Sequence, residues 1–269
     1  MNPETRRNRR NDRGLRFLLP FLTGLLLIAL WYGIKALFNL HDYILPAPHQ
    51  VLQAFAAESD TLLRATLMTF SGAFLGFLAA VILGAAMALL MVSFRYLRYS
   101  LYPFVIFMQM SPIIATAAIV VIIFDVGLQS VVMIAFLIGF FPIVASALQG
   151  LRSVPERHLE LFKLYRSKPW QELFWLRVPY ALPYFFTGAK IAATLAVIGS
   201  VTGEIFAGST DGSGGLGFMI IVYKSELKIS AIYAATLICC VLGFLFVSLV
   251  LYLRWICLRH WHDSLITAE

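Results

Sequence analysis

Residues 65–94 read ATLMTFSGAFLGFLAAVILGAAMALLMVSF, thirty consecutive positions without an acidic or basic side chain. A helix rises about 1.5 Å per residue, and about 20 residues cross the roughly 30 Å hydrocarbon layer of a bilayer. The stretch is therefore long enough to span a membrane as one helix. Within it Gly72, Gly76, Ala80 and Gly84 recur at spacing four, which puts small side chains on one face and predicts close approach of another helix. Working outward, uncharged runs also cover residues 17–34, 99–124, 126–151 and 229–253, and the run 178–203 is interrupted only by Lys190. The expected fold is all-α: a polytopic membrane protein with six transmembrane helices.

Composition agrees. Of 269 residues 60% are apolar and 13% charged, against about 45–50% and about 25% in ordinary soluble domains. That balance excludes a disordered chain and argues against a water-soluble enzyme, since one core cannot hide so much apolar surface. Cys239, Cys240 and Cys257 crowd one apolar stretch, so they provide neither a disulfide framework nor a spaced metal site. Pro103, Pro112 and Pro142 fall inside predicted spans, where they free backbone carbonyls that lipid cannot satisfy; those positions should face protein or a wet cavity.

The basic residues set an orientation, because short cytoplasmic loops accumulate lysine and arginine. With the tail bearing Arg6, Arg7, Arg9, Arg10, Arg13 and Arg16 inside, the turn with Arg95 and Arg98, the segment from Arg152 to Arg177 and the end with Arg254 and Arg259 are inside too. Sixteen of the 21 basic residues then share one side. The net charge of +7 reads as topology, with both termini cytoplasmic, and not as nucleic-acid binding. The expected layout is a basic tail (1–16), a first span (17–38), an external linker (39–61), a core of five spans (62–258) containing a cytoplasmic segment (150–182), and a second cytoplasmic tail (259–269).

That cytoplasmic segment is the main polar excursion. Ser153-Val-Pro-Glu156 is a capping-box pattern with proline early in the helix, and Pro169 closes the helix that should follow. Leu161, Leu164 and Tyr165 share one face of it at spacings of three and four, whereas Glu156, Arg157, Glu160 and Lys163 lie largely elsewhere. A helix of two to four turns is marginal alone. Its apolar face must rest on this chain, on lipid or on another protein.

The stretches Glu160-Leu-Phe-Lys-Leu-Tyr-Arg-Ser-Lys-Pro-Trp-Gln171, Leu176-Arg-Val-Pro-Tyr-Ala-Leu-Pro183 and Thr187-Gly-Ala-Lys-Ile191 resemble the cytoplasmic loop signature of permease subunits of bacterial ATP-binding-cassette importers. The likeness is greatest to the branch serving nitrate, sulfonates, taurine and thiamine precursors. Leu45-Pro-Ala-Pro48, Ser111-Pro112, Phe141-Pro142 and Gly214-Gly-Leu-Gly217 fall where that branch carries similar residues. The resemblance implies the type I importer permease fold, and a coupling helix that seats in a groove of a separate ATPase subunit. Carried over, Glu160 matches the family's glutamate, Leu161 and Phe162 stand at its two alanine positions, and Leu164, Tyr165 and Arg166 complete the contact, Arg166 where many members have glycine. The implied partners are ABC ATPase subunits, a periplasmic or lipid-anchored solute-binding protein and a second permease copy in the bacterial inner membrane. ATP is then used by the partner, and no cofactor is expected on this chain.

Inventory agrees with a non-enzymatic role. No Gly-x-x-x-x-Gly-Lys-Ser/Thr phosphate loop is present, and Gly212-Ser-Gly-Gly-Leu-Gly217 reads as a flexible or tight external loop. An intramembrane hydrolase would need a histidine or paired acids at membrane depth, yet His41, His49, His158, His260 and His262 all lie outside the spans. An ion-driven carrier would bury interacting charges near midplane. Lys190 and Glu204 are 14 residues apart, too far to pair along one helix. Candidate pathway residues are Gln109, Ser111, Pro112 and Thr116 on the third span, Ser146 on the fourth, and Thr202 and Glu204 on the fifth. Glu204 also has a plainer reading, as a solvated acid at a helix end.

Overall fold

The computed structural model describes residues 3–208 and 214–259, with side chains from residue 18 onward. The basic tail's side chains, residues 209–213 and nearly all of the C-terminal tail, including His260 and His262, lie outside the described residues. Every regular element among those described is helical. In order they are α1 (Pro3–Leu37), α2 (Pro48–Ala57), α3 (Ser59–Ser93), α4 (Arg95–Gln109), α5 (Ile113–Phe124), α6 (Leu128–Arg152), α7 (Glu156–Leu164), α8 (Pro169–Gln171), a π-helical turn (Glu172–Arg177), α9 (Val178–Ala207), α10 (Leu216–Ser225) and α11 (Ile229–Leu258).

Among the described residues five helical stretches are long and apolar enough to cross a bilayer, Leu18–Leu37, α3, α6, Pro169–Ala207 and α11, and the bent pair α4–α5 passes the same test of length and composition when taken as one span. The third predicted span is thus not one straight helix. Its two halves meet at 104° across Met110, Ser111 and Pro112, because the proline has no N–H to continue the ladder and its predecessor is pushed out of helical geometry. Pro103 and Pro142, by contrast, sit inside continuous helices.

Two compact units are formed. The larger comprises residues 60–222 and 235–269. Here the spacing-four stripe of α3 does what its pattern requires. A Cβ on Gly72 would lie 2.7 Å from Val131 Cγ1, on Gly76 2.5 Å from Ala135 Cβ and on Gly84 2.9 Å from Ile143 Cγ2, so α3 packs on α6 at a distance only glycine allows. Helix α6 packs as tightly on α9 through Gly188, Gly199 and Gly203. Phe70, Phe74 and Phe77 of α3 surround Phe246 of α11 with ring centroids 5.2–6.4 Å apart. A second apolar cluster, with Met91, Val105, Leu148, Leu151 and Ala181 buried, fastens α3, α4, α6 and α9 at the end nearer α7.

The smaller unit, residues 1–59 and 223–234, gives structure to the predicted external linker. Pro48 opens α2 at its first position, and Gln50 Oε1 accepts from the Ala47 N–H at 2.8 Å. Trp31 Nε1 donates to Pro46 O at 3.1 Å, and Asp42 takes hydrogen bonds from Lys35 and from Gln50 Nε2, the latter at 2.8 Å. Lys35 and then Gln50 hold the Asp42 carboxyl below its usual range. Lys228 bonds Glu58 and Glu226, each at 2.9 Å, which pushes its ammonium above the usual lysine range.

Candidate functional site

Three places in the larger unit carry the candidate residues. The first is α7. Its start differs from the expected capping box: Pro155 occupies the N-cap, and Ser153 instead turns back to cap α6, its Oγ donating to Gly150 O at 2.8 Å. The proline supplies the extended backbone that a capping serine would otherwise adopt. At the other end Arg166 N donates to Lys163 O and Ser167 N to Phe162 O, both at 3.0 Å, with Arg166 in the left-handed region at φ 51°. This is a Schellman stop, whose turning residue is normally glycine.

No side chain of α7 is buried. Leu161 is 48% exposed, and Leu164 and Tyr165 are each 80% exposed. Of the three supports open to the apolar face, this chain is therefore not the one used. Around the exposed helix the frame is firm. Arg177 pairs with Glu172 at 2.7 Å and donates to Leu151 O at 3.1 Å, tying the π-helical turn to the end of α6. The His158 ring lies 5.6 Å from that of Tyr180. Glu160 is exposed and, among the described residues, has no hydrogen-bond partner within the chain.

The second place is the break between α4 and α5. Ser111 Oγ and Thr116 Oγ1 lie 3.0 Å apart, and Thr116 Oγ1 also reaches Pro112 O at 3.0 Å. A cavity of about 500 Å³ opens here, lined by Gln109, Ser111 and Thr116 and by apolar residues of α4, α5, α6 and α9. The structure thus gathers three of the predicted pathway residues beside Pro112. It does not bring the others to them. Ser146 is half-buried against Gly188 in the α6–α9 contact, and Thr202 lines a separate cavity of about 540 Å³ between α9 and α11.

The third place surrounds Glu204, which is buried and not a solvated helix-end acid. Its Oε2 accepts from Gly217 N at 2.8 Å and from Thr69 Oγ1 at 3.0 Å, and its Oε1 accepts from Ser200 Oγ at 3.2 Å. Thr69 Oγ1 in turn accepts from Leu216 N at 2.8 Å, so the first turn of α10 is held by one residue of α9 and one of α3. Of the glycines expected to make a flexible or tight external loop, Gly215 and Gly217 serve close approach. A Cβ on Gly215 would fall 2.2 Å from Glu204 Cδ, and one on Gly217 would fall 2.2 Å from Val201 O. Their absence of side chains lets backbone close over the carboxylate. Thr69 was not a candidate from sequence, and only its separation of 135 positions from Glu204 explains why.

Among the described residues no cluster of histidine, cysteine, aspartate and glutamate is placed to hold a metal.

Comparison with known proteins gives a consistent result. The family model of the binding-protein-dependent transport system inner membrane component matches residues 62–255. A probable ABC transporter permease protein of Haemophilus influenzae is 33% identical over 83% of this chain and 90% of its own length. The formylaminopyrimidine transport permease of Halalkalibacterium halodurans is 32% identical over 87% of this chain and 92% of its own. The riboflavin transport system permease of Chloroflexus aurantiacus is 32% identical over 87% and 88%. Among solved structures, a chain of the inward-facing MetNI methionine ABC transporter superposes with a TM-score of 0.58 at 18% identity, covering 72% of this chain and 96% of that one, which establishes the likeness of fold.

Proposed function

This chain belongs to the family of inner membrane components of binding-protein-dependent transport systems, and we propose that α7 is the lever through which a separate ATPase subunit drives it. The chain is the membrane-spanning subunit of an ATP-driven solute importer. The observation that carries the lever assignment is the exposure of Leu161, Leu164 and Tyr165 on a helix whose flanks are firmly anchored. A bare apolar face on a fixed mount suits transmission of force to and from a partner. Glu160 beside that face supplies a charge for orientation.

In this mechanism closure of two ATPase subunits displaces α7, and Arg177 and Leu151 pass the displacement to α6 and α9, whose close packing moves them as one body. The pathway then opens alternately to the two sides of the membrane. The chain supplies linkage and a passage, and ATP is bound and hydrolysed on the partner. A second permease copy completes the passage, and a periplasmic or lipid-anchored solute-binding protein delivers the solute. The distribution of lysine and arginine supports a cytoplasmic position for α7 and both termini. The cargo is a small organic solute, either of the vitamin and pyrimidine-precursor kind named for two of the relatives or of the taurine and sulfonate kind named for others.

Replacing Glu160→Arg in the reconstituted complex tests the lever. The expected result is loss of binding-protein-stimulated ATP hydrolysis with normal membrane insertion. Stimulation at the wild-type level in both Glu160→Arg and Leu164→Ser would refute it.

A further inference from the structure

The α4–α5 cavity carries more information than its position. We propose that it is a binding site for an uncharged, flat, heteroaromatic solute with an amide-like edge, and that it discriminates against anions. This rests on the reading of the chain as a solute passage and settles which of the two cargo classes the passage accepts.

Four observations lead there. First, none of the residues lining the cavity is ionisable. An anion of the sulfonate kind entering it would give up hydration with no counter-charge, which low-dielectric surroundings penalise heavily. Second, the helix ends at the break carry partial charges of both signs and no full positive charge. The first-turn N–H groups of α5 present the positive end of a helix dipole, and the last carbonyls of α4 present a negative end on the other side of the three-residue break. The break therefore leaves backbone donors and acceptors side by side. Third, Gln109 is exposed at the cavity, and its side-chain amide has no hydrogen-bond partner within the chain among the described residues. A free carboxamide matches a ligand edge carrying one donor and one acceptor. Fourth, the remaining walls are Met108, Phe141, Leu137, Ile138 and their apolar neighbours, and the volume of about 500 Å³ suits one or two rings.

Lipid is a poor occupant of this groove, because broken backbone at membrane depth persists only where it is covered by protein or lines a watery cavity. The polar groups concentrated at the break favour the second case.

The test uses the full chain with its ATPase subunits in lipid nanodiscs and two probes of similar size, pyrimidine-carboxamide and benzenesulfonate, in equilibrium dialysis. Expected are retention of the carboxamide at least about ten-fold above benzenesulfonate, and a loss of about ten-fold in Gln109→Leu. In Gln109→Lys the preference should move toward the sulfonate. In parallel, Ser111→Cys is placed in a background where Cys239, Cys240 and Cys257 are serine, and its labelling by a membrane-impermeant maleimide is followed.

Equal or stronger binding of benzenesulfonate overturns the proposal, as does failure of both probes to bind, or carboxamide binding that ignores both Gln109 substitutions. The labelling arm reports separately on the passage. If Ser111→Cys reacts from water but the sulfonate is preferred, the passage stands and the ligand class falls. If Ser111→Cys stays unreactive while the carboxamide binds through Gln109, the ligand class stands and the passage reading falls.

Discussion

Replacement of Glu204 by alanine probes the buried polar contact that joins α3, α9 and α10. The substitution removes the acceptor for Gly217 N and for two hydroxyls, but the three losses are unequal. Thr69 Oγ1 also lies 3.1 Å from Ala65 O, and Ser200 Oγ lies 3.0 Å from Thr69 O, so each hydroxyl keeps an acceptor. The Gly217 N–H does not, since a residue in the first turn of α10 has no helical acceptor. An orphaned buried donor costs about 1–3 kcal/mol, and the space left by the carboxymethyl group adds about 1 kcal/mol where backbone cannot collapse into it. Glu204→Ala is therefore expected to destabilise by about 2–4 kcal/mol. Glu204→Gln keeps one oxygen for Gly217, and its amide can donate to Ser200 Oγ, so it should cost about 1 kcal/mol or less. Glu204→Asp withdraws the carboxylate by a methylene and should behave like alanine. The assay is the unfolding midpoint of the purified chain in mixed micelles under increasing denaturing detergent, with a double-mutant cycle against Thr69→Val. A coupling of about 0.5–3 kcal/mol is expected for groups sharing one network. Alanine and glutamine variants within about 0.5 kcal/mol of each other, or no coupling to Thr69, would show that the carboxylate is not the fastening of α10.

Gly76→Ala should destabilise by about 1–3 kcal/mol by forcing α3 from α6, whereas Gly243→Ala, with nothing within 4 Å of the added carbon, should be neutral or stabilising; the same detergent titration distinguishes them. Arg166→Gly relieves a left-handed arginine at φ 51° and should stabilise the segment after α7 by about 1 kcal/mol, seen as slower local hydrogen exchange. Because Lys35 and Gln50 lower the Asp42 carboxyl relative to the unfolded chain, its contribution is present above the usual carboxylate range and is lost as pH falls through the lowered value. Acidification below about pH 4 should change Trp31 fluorescence, and Asp42→Asn should abolish that change. Absence of the transition in the wild type would refute the coupling.

Much of this protein follows from local rules. Six membrane crossings were legible because uncharged length alone decides whether a helix suits lipid. The stripe at Gly72, Gly76, Ala80 and Gly84 announced a close contact, since spacing four defines a helix face irrespective of what meets it. The amphipathic helix after Ser153 was legible for the same reason, though its cap was not: serine and proline both start helices, and which one does so depends on how α6 ends. The bend at Pro112 was foreshadowed by the proline, but its angle was not, because Pro103 and Pro142 carry the same chemistry in unbroken helices and only the packing around each decides between kink and break. The sequence also could not show that α7 leaves its apolar face uncovered, or that Thr69, Ser200, Glu204 and two glycines converge. The convergence depends on Thr69 meeting Glu204, Ser200 and Leu216 from 131 to 147 positions away, where no periodicity reaches, and burial of Glu204 exists only once α10 has closed over it.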